Sequence, residues 1–267
     1  MGLLILMLFH AGCRKNEGEN GPLAIVGTGA CEEVLNKLSE AFNRANPDYQ
    51  VTVPKSIGSG RGIEVVGNGE YVLGRIARSL KEKDAQYGLS YKPFAKDAVI
   101  FAVGDKVGIR DITGAKLADI YSGKTTNWSE LGGSDGPIRA LAREEGDSSR
   151  TVIEDNIAVF KNLAFSDRVK YVYHDYEMVE LLVKYPTSIG CLTWSNLGEG
   201  MHPVAIDGNE PILENISSGQ YPLVCEYAFV YHDKRLNATA RKFIEFVFSE
   251  EGGRILELNG LLPVGGK

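Results

Sequence analysis

This sequence predicts an α/β fold with mostly parallel sheets, on three observations. Short apolar runs alternate with helix-patterned segments along most of the chain. Three times a strand pattern runs through a glycine-bearing or polar turn straight into a helix pattern, over residues 23–45, 49–66 and 138–160. Asp97 to Val103 (DAVIFAV) is a near-continuous apolar run, the mark of a strand buried on both faces.

The elements follow in order. Leu23 to Val26 is a strand that ends in Gly27-Thr28-Gly29. Val34, Leu35, Leu38, Ala41, Phe42 and Ala45 then fall on one helix face, and Asn46-Pro47 stops that helix. The turn between them sets backbone N–H groups at a helix N-terminus, a ready anion site, although many such turns carry glycine for geometry alone. Tyr49 to Val53 alternates as a strand, followed by Ser56 to Gly62 with glycines at 58, 60 and 62, and by a helix that includes Ile63 and Val66. Leu117 to Ser122 is a short helix stopped by Gly123. Ile138 to Arg143 is a strand that delivers the chain into REEGDSSR at 143–150, and Thr151 to Phe160 is helical. Beyond it come a helix at Met178 to Val183, strands at Ser188 to Leu192 and Tyr227 to Tyr231, a helix at Ala240 to Val247, and an extended tail at Leu261 to Val264. Trp128 and Trp194 read as packing residues.

The chain has 267 residues, room for one large domain or two of ordinary size. Its formal net charge of −6 argues against a general nucleic-acid surface, which needs a basic excess. An acidic protein that binds an anion must do so locally, with N–H groups, hydroxyls and a few arginines. REEGDSSR has that content, except that Asp147 sets a negative charge in the middle of it.

At the N-terminus, Leu3 to Phe9 is an apolar run too short to span a bilayer, and it fits the core of a secretory signal over residues 1–12. It ends in Ala11-Gly12-Cys13, which resembles the lipobox of bacterial lipoproteins. That resemblance implies lipidation (palmitate) at Cys13, a tether over 13–21, and a place in the cell envelope, in the periplasm or at the outer surface, anchored to the membrane. A buried N-terminal strand is the alternative. With Cys13 lipidated, Cys31, Cys191 and Cys225 leave at least one thiol unpaired. None has metal-ligand spacing and the four histidines are scattered, so neither a metal nor a cofactor is expected.

Seven motifs run along almost the whole chain: VGTGA at 26–30, GSGRGI at 58–63, SLKEKD at 79–84, IYSGKTTNW at 120–128, GCLTWSNL at 190–197, NISSGQYPL at 215–223 and FIEFVFSEEGGRIL at 243–256. In this order and spacing the chain resembles the phosphate-binding lipoproteins of bacterial phosphate ABC transporters, which have the type II periplasmic-binding-protein fold. The resemblance implies two α/β lobes joined by strands that cross near Asp97–Val103 and Leu223–Tyr227. Lobe 1 would be residues 22–98 plus 225–267, and lobe 2 residues 99–224, closing on a ligand in the cleft. It also implies a monomeric, non-enzymatic solute-binding protein that hands inorganic phosphate, or a similar oxyanion, to a membrane permease. Three loops would hold the ligand: Thr28, Gly29, Ala30 and Cys31; then Ser59; then Arg143 with Asp147, Ser148, Ser149 and Arg150. Arg78 would add positive field at the rim, and Arg61 less so.

The chain departs from the family where Ala77 stands in place of a common aspartate that accepts the ligand's proton, and where Asp147 replaces a serine. Asp147 would restore the missing acceptor from the other lobe, kept ionised by Arg143 and Arg150, and would reject sulfate, which has no proton to give. Alternatively it pairs with Arg150 or caps the following helix, with a different ligand or a site altered or lost. Two rival classes remain. One is a sensor or scaffold on the same fold. The other is an enzyme that uses Cys31 at a helix N-terminus as a nucleophile of lowered pKa.

Overall fold

The computed structural model describes residues 21–265; the expected signal segment 1–12, Cys13 and all but the last residue of the expected tether lie outside the described residues. The chain opens with β1 (Leu23–Gly27), α1 (Glu32–Ala45), β2 (Val51–Thr52), α2 (Gly58–Gly67) and β3 (Leu73–Ile76). It continues through the long β4 (Ser90–Gly104), β5 (Asp111–Ile112), α3 (Gly114–Tyr121), β6 (Arg139–Arg143), α4 (Ser148–Asn156), β7 (Lys170–Val172), α5 (Asp175–Lys184), β8 (Ser188–Thr193) and β9 (Met201–Ile206). It closes with α6 (Leu213–Ser218), β10 (Val224–Tyr231), α7 (Ala238–Val247), α8 (Glu250–Leu258) and β11 (Leu262–Pro263).

Main-chain pairing joins the strands in the order β2-β1-β3-β10-β4-β8-β6-β7. At each end the strands are parallel: β1 with β2 and β3, β6 with β7 and β8. In the middle they are antiparallel: β10 with β3 and with β4, and β4 with β8, β9 and β11. The expectation of mostly parallel sheets is therefore corrected to a mixed sheet. The physical reason is the two crossings: β4 carries the chain out through the centre and β10 carries it back, so they run opposite to each other.

Burial follows the apolar pattern. Ala98 through Gly104 of β4 are all buried, as the sequence run requires. The face of α1 buries Val34, Leu35, Leu38, Ala41 and Phe42, while Ala45, at the frayed end, is exposed. Phe42 packs edge-on against Phe243 of α7, ring centroids 5.4 Å apart, which fastens the last helices onto the first. Trp128 is buried and its indole N–H donates to the Thr187 carbonyl at 2.8 Å.

Several boundaries differ from the sequence reading. α2 begins at Gly58, so its glycines form the first helical turn and not a loop before it. The helix after REEGDSSR begins at Ser148 and ends at Asn156, where Ile157 turns extended (φ −109°, ψ 101°). α5 begins at Asp175, three residues before Met178, and α8 was not expected as a separate helix.

Candidate functional site

Three helix starts, those of α1, α2 and α4, and the first residue of α5 converge at the middle of the molecule. The first is the turn Thr28–Cys31. Gly27 sits at φ 141°, and a side chain there would run into the Arg75 carbonyl, 1.9 Å from a Cβ. Thr28 is buried and its hydroxyl accepts from the Ala30 N–H at 3.3 Å. Behind the turn lies the fully buried Arg75. Its Nε donates to the Thr28 carbonyl at 2.7 Å, and its Nη atoms to the Ile25 and Pro54 carbonyls and to Glu32 Oε2. One guanidinium thus ties the strand, the turn and the next loop together.

The Ala30 carbonyl is held from two sides: Tyr227 Oη of the crossing strand β10 lies 3.0 Å from it and shares its one proton with Asp97, and Asn196 Nδ2, in the turn after β8, donates to it at 3.2 Å. Asp97, fully buried on β4, accepts from Tyr227 Oη at 2.8 Å and from the Ser195 N–H at 3.3 Å, while its other oxygen has no partner among the described residues. Burial pushes this carboxyl up to about 6, against the pull of those donors.

Ser59, in the first turn of α2, meets Ser148, the first residue of α4, with hydroxyl oxygens 2.9 Å apart. Ser59 also accepts from the Ala77 N–H at 3.2 Å. Ser148 and Ser149 are both buried.

The third loop is built round Arg143, at the end of β6 and only 4% exposed. Its Nη1 donates to Asp175 Oδ1 at 2.7 Å; its Nη2 donates to the Tyr173 carbonyl at 3.1 Å and lies 3.1 Å from Asp147 Oδ2. Burial alone would lower the pKa of Arg143, but Asp175 and Asp147 raise it and keep the guanidinium charged. Asp147 caps α4: its Oδ1 accepts from the Ser149 N–H at 2.9 Å and the Arg150 N–H at 3.1 Å. Its carboxyl is pushed up to about 6 by burial, opposed by Arg143 and reinforced by the charge of Asp175. The partner that holds Asp147 charged is thus Arg143. Arg150 points elsewhere, with Nε on Glu154 at 2.6 Å and its guanidinium 4.8 Å from the Phe165 ring centroid. Arg78 pairs with Asp84 at 2.7 Å, and the exposed Arg61 pairs with Glu64 on its own helix at 2.7 Å.

Cys31 is fully buried and its thiol is pushed up to about 12 by burial, which corrects the expectation of a lowered pKa and removes the basis for a thiolate nucleophile. Among the described residues no cluster of His, Cys, Asp and Glu could hold a metal.

Asp175 was not foreseen. Its Oδ2 lies only 2.6 Å from where a Cβ of Gly29 would stand, so it touches the first loop while it pairs with the third. The available signal was local: Asp175 is the acidic first residue of a helix that the apolar pattern, read from Met178, starts too late. A cavity of about 570 Å³ opens beside it, lined by Gly29, Lys55, Ser56, Asp175, Tyr176 and Asn196 among others.

The sequence model of the PBP superfamily domain matches residues 15–251. The chain belongs to the PBP superfamily. Among its relatives, the phosphate-binding protein PstS of Borreliella burgdorferi is 26% identical, covering 94% of this chain and 92% of that protein. PstS of Bacillus subtilis is 27% identical, over 94% of this chain and 83% of its own. A Clostridium perfringens protein described as a phosphate ABC transporter substrate-binding protein, solved with bound phosphate, superposes with a TM-score of 0.86 at 28% identity. It covers 92% of this chain and is itself covered in full. The two-lobe periplasmic-binding-protein fold read from the motifs is thus the observed one.

Proposed function

We propose that this protein is an extracytoplasmic solute-binding protein that captures inorganic phosphate and delivers it to an ABC permease. The observation that carries this reading is the meeting of Ser59 and Ser148, from two different helix starts, with Ser148 at the end of the loop that the buried Arg143 opens. Hydroxyls, helix N-termini and one guanidinium on converging loops are the donors a tetrahedral oxyanion needs. The PstS relatives and the phosphate-bound Clostridium perfringens protein support the choice of phosphate.

In this reading Thr28, Gly29, Ala30 and Cys31 supply main-chain N–H groups and one hydroxyl. Ser59, Ser148 and Ser149 supply hydroxyls or N–H groups, and Arg143 supplies the charge. Asp147 caps α4 and orients Arg143, and its Oδ2 accepts the proton that hydrogen phosphate carries and sulfate lacks. Arg78 and Arg150, each already paired, contribute field and no contact. The lobes are residues 22–98 with 225–267, and 99–224. The protein acts as a lipid-anchored monomer attached through Cys13, and it catalyses no reaction.

The test is titration calorimetry of the full chain after denaturation and refolding to strip carried ligand. Phosphate should give heat and sulfate none. No heat with phosphate overturns the reading. A second reading, a sensor or scaffold that does not feed transport, is favoured by one observation: Arg143 is already shared by three carboxylates, Asp147, Asp175 and, farther off, Glu144.

A further inference from the structure

We propose that Asp175 is a built-in competitor for the oxyanion and so sets which anions the cleft accepts. The inference rests on the reading of the cleft as a phosphate site.

The Asp175 carboxylate lies between two groups assigned to the ligand. One oxygen is 2.7 Å from Arg143 Nη1, and the other is against Gly29 of the first loop. Asp175 takes Nη1 and Asp147 faces Nη2, which leaves Nε as the one nitrogen without a hydrogen bond among the described residues, so an oxyanion that needs a two-donor fork must displace a carboxylate. Charge points the same way. Arg143 brings one positive charge, and three carboxylates stand round it: Asp147 and Asp175 within 3.1 Å and the partly exposed Glu144 at 3.6 Å. A further anion entering this buried group is repelled unless one carboxylate leaves.

Asp147 is not the one to leave. Its Oδ1 is tied to two N–H groups of α4, and its loss would uncap that helix. Asp175 has no such tie: its side-chain hydrogen bond among the described residues is the one to Arg143. It also faces the cavity of about 570 Å³, so a rotation about its side-chain bonds moves it off Arg143 without moving the backbone. Lys55 lines the same cavity, with its Nζ 5.9 Å from the Tyr176 ring centroid, and among the described residues it has no ion pair. It is placed to receive the released carboxylate.

Asp175 is then a specificity-determining residue. A monoanion that displaces it gains no charge at Arg143, whereas a dianion does. Selection for doubly charged tetrahedral oxyanions follows from the exchange itself.

The experiment is calorimetric titration of phosphate into the full-length wild type, Asp175→Asn and Asp175→Ala. Removing the competitor should tighten phosphate binding about tenfold or more, equivalent to one lost charge-assisted contact in competition. A residue that merely oriented Arg143 would give the opposite sign. Binding by the wild type with equal or weaker binding by both variants overturns the inference and leaves the phosphate reading standing. Binding by the variants and none by the wild type supports it, as a competitor that dominates. No binding by any of the three overturns the inference together with the phosphate reading. Should neither Asp175 variant fold, Lys55→Met decides: phosphate binding weakened about threefold or more supports the exchange, and unchanged or tighter binding overturns it.

Discussion

The first and third loops of the cleft solve one problem in opposite ways. At Thr28–Cys31 the charge is hidden: Arg75 lies fully buried behind the turn, spends its donors on three main-chain carbonyls and Glu32, and leaves main-chain and hydroxyl groups to line the cleft. At Arg143–Arg150 the charge is at the front, and it is balanced in place by Asp147 and Asp175. The first arrangement fixes geometry. The second balances charge, and in the exchange proposed above one of its carboxylates gives way to the ligand. A buried arginine therefore has two distinct uses here, told apart by what most of its acceptors are: three carbonyls and one carboxylate at Arg75, three carboxylates and one carbonyl at Arg143.

The sharpest way to break this comparison is to remove each arginine in turn. Arg143→Met leaves two buried carboxylates facing each other and should destabilise the fold by about 3–5 kcal/mol at neutral pH. Acid should recover part of that loss as Asp147 takes up a proton. Arg75→Met should cost a similar amount, about 3–5 kcal/mol, and acid should recover less of it, because three of its four acceptors are carbonyls, which bind no proton in this range. Urea unfolding of both variants at pH 7 and pH 5 separates the two. Equal pH dependence would erase the distinction.

A second prediction concerns the sign of the pH effect at Asp147. Its folded carboxyl titrates at about 6 against an ordinary value of 3.8. The folded protein thus holds the proton more tightly than the unfolded chain, and the stability this gives is complete below about pH 4 and lost as pH rises through 6. Asp147→Asn keeps the helix cap and removes the titration. Its stability should fall less steeply between pH 4 and pH 7, by ~2–3 kcal/mol. An identical slope in the two proteins would mean that Asp147 has an ordinary pKa.

The smallest expected effect belongs to Ser59. Ser59→Ala removes the hydroxyl that joins Ser148 and accepts from the Ala77 N–H. Phosphate affinity should drop about tenfold, the contribution of one hydrogen bond to a charged group, and the melting temperature should fall by a few degrees as the Ala77 N–H loses its acceptor. A loss of a hundredfold would move the charge-bearing role from Arg143 towards the first loops.

Much of this arrangement was legible in the sequence. VGTGA and GSGRGI mark the two helix starts, and Gly27 and Gly62 are where close backbone approach leaves no room for a side chain: a Cβ on Gly62 would stand 2.8 Å from the Gly27 Cα. The apolar face of α1 and the run through β4 located the core. What stayed hidden depends on distant partners. The antiparallel centre is a property of chain crossing, and apolar runs carry no direction. Arg75 sits inside the short buried strand β3, and only the fold shows which carbonyls surround its guanidinium. Asp175 is 32 residues beyond Arg143 in sequence, and the parallel pairing of β6 with β7 is what returns it to that arginine.

A crystal structure of the full-length protein grown with phosphate tests the central claim most directly. The account predicts phosphate within hydrogen-bond distance of Arg143, Ser59, Ser148 and the Thr28–Cys31 turn, with Asp175 released towards Lys55. Phosphate bound elsewhere, or an intact Arg143–Asp175 pair beside it, would contradict the account.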